Sequence, residues 1–428
     1  MPDTITLPPI LIDPIGFSTG PSYELTPTIV QRGSALYQIL ISYDTITPTI
    51  ATLHAFRSAD SGVTWVEQDA AGTPDSGSQS GYFYTFSDPS RDAIDVLYRN
   101  GTLASPGASI RICTFSTATN TWGTPGTTFN VSTIPGNASE VRYCVYKQAG
   151  GDWVVIGGRV SFFPTVLRLY DLTYDGASWV GPTNITTVNS GGSDVWGGRL
   201  QSNGVFHFLA TDGFSLLYYQ LSASLVLSAK TVLTPPNQFF NSAFPSADMG
   251  MTFWGADSIA VGYVSTSGNI QMRVGTPLSA PVFTSYTIAS TAGSEAFYYA
   301  RPIVDASGNL NVFWIKRDAS TTPITNQIYR STFDGSSWST PIVFYDAVVD
   351  PPPGIFPGFT VTLLHKFDAI ELSPGVWVVF TTMGGISSEH ANIGFTLITA
   401  IPEPGCPTIY VARQPQPDAP APPLPPGL

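Results

Sequence analysis

Ser58-Ala59-Asp60-Ser61-Gly62-Val63-Thr64-Trp65 has the form S-x-D-x-G-x-T-W. Each fixed position has a local physical reason. The Asp60 carboxylate can accept backbone N–H groups inside a tight turn, and Gly62 supplies the positive φ such a turn needs. Thr64 resumes an extended chain, and Trp65 offers a large face to a neighbouring sheet. Shortened copies follow: Thr173 to Trp179 keeps Asp175, Gly176 and Trp179, and Thr332 to Trp338 keeps Asp334, Gly335 and Trp338. Ser116 to Trp122 keeps the tryptophan but has neither Asp nor Gly. A recurring hairpin signature means one supersecondary unit used many times.

Working outward from the turns, apolar runs rich in β-branched and aromatic residues come in pairs. First members begin near Ala35, Asp92, Asp152, Gly204, Ser258, Asn309 and Gly375. Second members begin near Thr52, Ser109, Val166, Ser215, Asn269, Asn326 and Asn392, so their spacings are 57, 57, 49, 54, 57 and 66 residues. Gly, Asn, Asp and Pro bound the runs, which is the strand pattern, and no segment sustains a helical period. A unit of about 50 residues accommodates four strands, the size of one propeller blade. The expected fold is therefore an all-β β-propeller of four-stranded blades, seven in number, with six as the alternative. The turn carrying the motif is placed between the third and fourth strands. The fourth, fifth and seventh units read as having lost it.

Composition fits this picture. The 428 residues are 43% hydrophobic but only 11% charged, against a usual charged share of about 25%. The surface is therefore read as Ser, Thr, Gly and Asn. With 18 basic against 30 acidic residues and only Lys147, Lys230, Lys316 and Lys366 as lysines, a nucleic-acid or anionic-membrane partner is not expected. Cys113, Cys144 and Cys406 lack metal-ligand spacing, so no metal and no cofactor is expected. Three buried free thiols are expected, with a Cys113–Cys144 bridge as the alternative. Residues 1–13 lack a basic segment and are broken by Pro8 and Pro9, unlike a standard signal peptide. No apolar run reaches the length of a membrane span.

The repeated turns resemble the Asp-box (bacterial neuraminidase, BNR) repeat of sialidase-like β-propellers, one copy complete, two shortened and one degenerate. The resemblance is specific for the hairpin and implies no enzyme, because such repeats serve many functions. Its structural residues here are Ser58, Asp60, Gly62, Thr64, Trp65, Asp175, Gly176, Trp179, Asp334, Gly335 and Trp338. Catalytic members of that family use three arginines on a substrate carboxylate, a Tyr–Glu nucleophilic pair and an Asp acid/base.

Residues that precede or open first strands are the candidates for such chemistry. Arg142, Arg199, Arg301, Tyr299, Glu295 and Lys366 form the candidate ligand-binding set, and no catalytic residue is assigned. The Arg-Ile-Pro motif of the family is absent; the nearest dipeptide is Arg301-Pro302. No nucleophile-elbow, metalloprotease or phosphate-loop motif is present.

Three regions follow: a closing strand and lead-in (1–25), the propeller (26–400) and a Pro-rich extended tail (401–428). The N-terminal strand is expected to complete the last blade, since its prolines suit an edge. The tail reads as polyproline II. The whole is expected to be a non-enzymatic structural or recognition module. Low lysine, high Ser/Thr/Gly and a Pro-rich arm resemble a bacteriophage virion protein, on the capsid surface or tail-associated. Such a protein would contact neighbouring subunits, through the tail, or host glycans. The alternatives are an exo-glycosidase of the sialidase class and a bacterial surface or exported carbohydrate-binding protein.

Overall fold

The computed structural model describes the strands and most turns between Thr4 and Ala400, with residues 201–211, 215–234, 249–321, 325–346 and 362–385 unbroken. Segments including 12–28, 70–82, 131–143, 235–248 and 347–361, and all of 401–428, lie outside the described residues. Arg142, Asp175, Gly176 and the Pro-rich tail therefore fall outside them.

Two short strands come first, β1 (Thr4–Ile5) and β2 (Ile10–Leu11). The described strands then build seven sheets, all antiparallel. Sheet one holds β3 (Ile29–Arg32), β4 (Ala35–Tyr43), β5 (Ala51–Ser58) and β6 (Val66–Gln68). Sheet two holds β7 (Phe83–Ser87), β8 (Ala93–Asn100), β9 (Ser109–Ser116), β10 (Thr121–Trp122) and β11 (Phe129–Asn130). Sheet three holds β12 (Cys144–Lys147), β13 (Trp153–Ile156), β14 (Gly158–Phe162), β15 (Thr165–Tyr174) and β16 (Trp179–Asn189). Sheet four holds β17 (Val195–Leu200), β18 (Phe206–Thr211), β19 (Leu216–Leu221) and β20 (Thr231–Val232). Sheet five holds β21 (Met249–Trp254), β22 (Ser258–Val264), β23 (Ile270–Thr276) and β24 (Val282–Ala289). Sheet six holds β25 (Glu295–Val304), β26 (Leu310–Asp318), β27 (Thr325–Phe333) and β28 (Ile342–Asp346). Sheet seven holds β29 (Thr362–Ser373), β30 (Val376–Gly385) and β31 (Ile393–Ala400), with β1 and β2 on its outer side.

Uniform four-stranded sheets were expected; three of the sheets carry five strands. Register explains the difference. β10 and β11 pair with successive parts of β9, and β1 and β2 with successive parts of β31. β13 and β14 likewise share β15. Each pair is one strand position broken in two.

The first strands touch in chain order: β7 with β12, β12 with β17, β17 with β21, β21 with β25, β25 with β29, and β29 with β3. Sheets one and two share a core of Tyr37, Ile39, Ala55, Ile94, Val96 and Phe115, among others. The sheets therefore follow one another in a cycle, with first strands innermost, which is a β-propeller.

Between sheets the core is strongly aromatic. Phe313 of sheet six meets Trp377 of sheet seven at 5.0 Å and Phe344 at 5.2 Å, both edge to face. Burying each such ring contributes about 1.5–3 kcal/mol. The tryptophans of the repeated turn each reach back to the preceding sheet. Trp65 joins the cluster of Ile29, Leu36, Phe56 and Val378, and Trp122 the core between sheets one and two. Trp179 Nε1 donates to Thr127 O at 2.9 Å, and Trp338 packs with Tyr286. Cys113 is buried and outside any disulfide, so the bridge to Cys144 does not form, and its thiol donates to Gly123 O at 3.4 Å.

Candidate functional site

The outer turns are self-contained. Asp60 Oδ1 accepts from the Ser58 hydroxyl and from Thr64 N, both at 2.8 Å, and Oδ2 accepts from Thr64 Oγ1 at 2.6 Å. Ser58 Oγ accepts from Gly62 N at 2.7 Å, and Gly62 sits at φ 92°. Burial acts to raise the Asp60 pKa, but the Thr64 and Ser58 hydrogen bonds outweigh it and hold the carboxylate below its usual range. Asp334 accepts from the N–H and hydroxyl of both Ser336 and Ser337, which lowers its pKa strongly. These carboxylates are occupied by their own turns.

Sequence reasoning missed two substitutes for this turn. In sheet four, Ser222 Oγ accepts from Val226 N at 3.0 Å and stands where the aspartate would. In sheet five, Asp257 reaches from the preceding hairpin and accepts from Leu278 N at 2.9 Å. The turn is replaced in those units and not lost.

At the inner strands, one irregularity builds the candidate site. Tyr298 pairs with Ile315 and Arg301 with Phe313, so Tyr299 and Ala300 together oppose Trp314. This is a β-bulge, and Tyr299 takes a φ of 60°. The bulge re-aims Tyr299 into the core between sheets six and seven, edge-on to Phe367 at 5.0 Å. Arg301 then points at sheet seven, where its Nη2 lies 3.5 Å from Asp368 Oδ1. The other oxygen of Asp368 accepts from Ile29 N at 3.1 Å. One carboxylate thus links the inner strands of sheets six, seven and one. A Cβ at Gly250 would meet Arg301 Cδ at 3.0 Å, so glycine there leaves room for the arginine stem.

Of the candidate residues, Arg199, Arg301 and Tyr299 are brought together. Burial raises the Tyr299 pKa; Arg301 and Arg199 oppose this, while Asp368 adds to it, and the phenol stays protonated. Arg199 follows its own irregularity, after Gly197 and Gly198 in β17. Glu295 does not join them. Its carboxylate holds Lys316 Nζ at 2.5 Å and accepts from Ala292 N at 3.3 Å. It lies four strand steps from Tyr299, about 13 Å. Lys366 follows a third irregularity in β29, opposite Thr382.

Glu295 instead starts a polar row across sheet six. Lys316 Nζ lies 5.6 Å from the Tyr329 ring centre, the Tyr329 hydroxyl donates to Gln327 Oε1 at 3.1 Å, and Gln327 Nε2 donates to Asp346 at 2.5 Å. Burial would lower the Lys316 pKa, but Glu295, Tyr329 and Asp318 outweigh it and raise it. Among the described residues no group of His, Cys, Asp and Glu could hold a metal ion.

No protein-family model and no curated sequence matches the chain. Among solved structures, the NanB sialidase of Streptococcus pneumoniae matches with 13% identity over 92% of this chain and 71% of that one, at a TM-score of 0.49. A protein of unknown function from Dyadobacter fermentans matches with 12% identity over 75% of this chain and 94% of that one, at 0.45. The fucose-specific lectin of Aleuria aurantia matches with 13% identity over 91% of this chain and 99% of that one, at 0.41.

Proposed function

We propose that this chain is a non-enzymatic, seven-bladed propeller of the Asp-box type, working as a structural and glycan-recognition module. The observation that carries the reading is the link from Arg301 through Asp368 to Ile29. The inner-strand polar groups that could gather a substrate carboxylate instead tie three sheets together. Burial keeps the proton on Tyr299, and among the described residues the Asp368 carboxylate that acts on it is engaged by Arg301 and Ile29, which argues against activation as a phenolic nucleophile. The cycle of first-strand contacts supports seven blades over six. A low-charge Ser/Thr-rich surface suits a particle exterior, and the reading places the protein on a virion, meeting neighbouring subunits or host glycans.

A second reading, an exo-glycosidase of the sialidase class, draws on one observation: Arg199 and Arg301 both bear on Tyr299. The two readings part on binding without turnover. On a glycan array the protein is expected to retain specific glycans that it leaves uncleaved; an array on which it binds nothing counts against recognition.

A further inference from the structure

The polar row of sheet six stands at the end of the sheet where β25 begins and β26 turns back into β27. All four strands contribute: Glu295 from β25, Lys316 and Asp318 from β26, Gln327 and Tyr329 from β27, and Asp346 from β28. Register sets Glu295 beside Asp318, Lys316 beside Gln327, and Gln327 beside Asp346. Alternation sends Arg317 and Arg330 to the opposite face, where Arg330 lies over Trp377 of sheet seven. The row itself faces sheet five. Its Tyr329 packs on the cluster shared with that sheet, and Ile288 and Ala289 of β24 are partly buried against the same cluster. The chain passes from Ala289 to Glu295 at this end, and the Glu295 carboxylate accepts from Ala292 N at 3.3 Å.

Two observations set this row apart from packing. The first is access: the Lys316 and Glu295 side chains are 20% and 19% exposed, so solvent reaches the ion pair. The second lies beside it. The Trp314 ring, 1% exposed, stacks with Tyr329 at 5.7 Å, and its buried Nε1 has no hydrogen-bond partner among the described residues. A buried donor without an acceptor costs about 1–3 kcal/mol. Packing alone would be served as well by apolar side chains, which need no charge taken out of water.

We propose that this row binds a neutral sugar, held between sheets five and six. The proposal rests on the reading as a glycan-recognition module and gives that reading a place and a ligand class. Sugar hydroxyls both donate and accept, and the row offers both complements. The Glu295 and Asp346 carboxylates accept, the Lys316 ammonium and the Gln327 amide donate, and a hydroxyl oxygen supplies the acceptor that Trp314 Nε1 lacks. Ile288 and Ala289 meet the sugar's C–H face. Charge selects a neutral ligand: one ammonium stands among the carboxylates of Glu295, Asp318 and Asp346, so an anionic sugar such as a sialic acid is repelled.

The test is saturation-transfer NMR of the full chain with galactose, glucose, mannose, N-acetylglucosamine and N-acetylneuraminic acid, each alone. At least one neutral sugar is expected to bind, and N-acetylneuraminic acid is not. Asp346→Asn, and Glu295→Gln combined with Lys316→Met, keep side-chain volume and remove charge; each is expected to weaken binding about tenfold or more. Circular dichroism confirms that they fold. A readout free of any substitution is hydrogen exchange of the wild type, which the bound sugar should slow in residues 290–297 and 325–330. N-acetylneuraminic acid bound as well as the neutral sugars, folded variants that bind like the wild type, or exchange slowed only elsewhere would each overturn this site while glycan recognition stands. Binding of none of the five sugars also overturns it, and retention on the glycan array then shows whether recognition survives.

Discussion

At the residue scale, the buried polar groups reward individual attention, and His207 most of all. Its Nδ1 lies 2.5 Å from the Tyr218 hydroxyl and its Nε2 3.2 Å from Gln201 Oε1. Burial lowers its pKa to about 4 and raises that of Tyr218, so a neutral ring donates from Nε2 and accepts from tyrosine at Nδ1. In the unfolded chain the ring titrates near 6.5, so between the two values the unfolded state binds the extra proton. This contribution to stability is complete above about pH 6.5, falls as pH drops to about 4, and then levels off, totalling up to about 3 kcal/mol. Urea denaturation at stepped pH should show that loss in the wild type and a flatter profile in His207→Asn. Asparagine suits the exchange because Asn311 holds the matching second position of β26. The sequence marked the Asp60 and Asp334 turns because their bonds join near neighbours. It gave no comparable sign of His207, whose neutral state depends on burial between sheets, nor of Ser222, because serine is too common to stand out.

At the element scale, the bulge in β25 decides what the inner strands can do. Without it Tyr299 and Arg301 would occupy other faces, since a one-residue change of register reverses every side chain. Asp368 completes the arrangement from the next sheet. Asp368→Ala leaves Ile29 N without its carboxylate acceptor and removes the Arg301 ion pair, at an expected cost of about 1–3 kcal/mol. Asp368→Asn keeps an acceptor for Ile29 and should cost less. Equal losses in the two variants, measured by urea denaturation, would show that Ile29 does not use this acceptor. Strand positions were legible from apolar runs bounded by Gly, Asn and Pro. The bulges were not, because an extra residue is visible only against its partner strand. That is also why Glu295 looked close to Tyr299 in the chain yet serves Lys316.

At the scale of the whole molecule, a cycle of sheets brings the first described strand to the last. Thr4 and Ile5 pair with Ala400 and Thr399, so the first residues complete the last sheet. The recurring outer turns identified this scaffold because a propeller repeats one hairpin. They could not identify its activity, because they lie at the rim while the inner strands supply the polar groups. Those inner groups are the crux of the account, which proposes that Arg301, paired with Asp368, ties sheets together in place of clamping a substrate. Fluorophore release from a sialoside by the intact protein tests this most directly. The account predicts no turnover above the buffer rate for the wild type or for Arg301→Ala. Turnover by the wild type that Arg301→Ala abolishes, in a variant that remains folded, would contradict it.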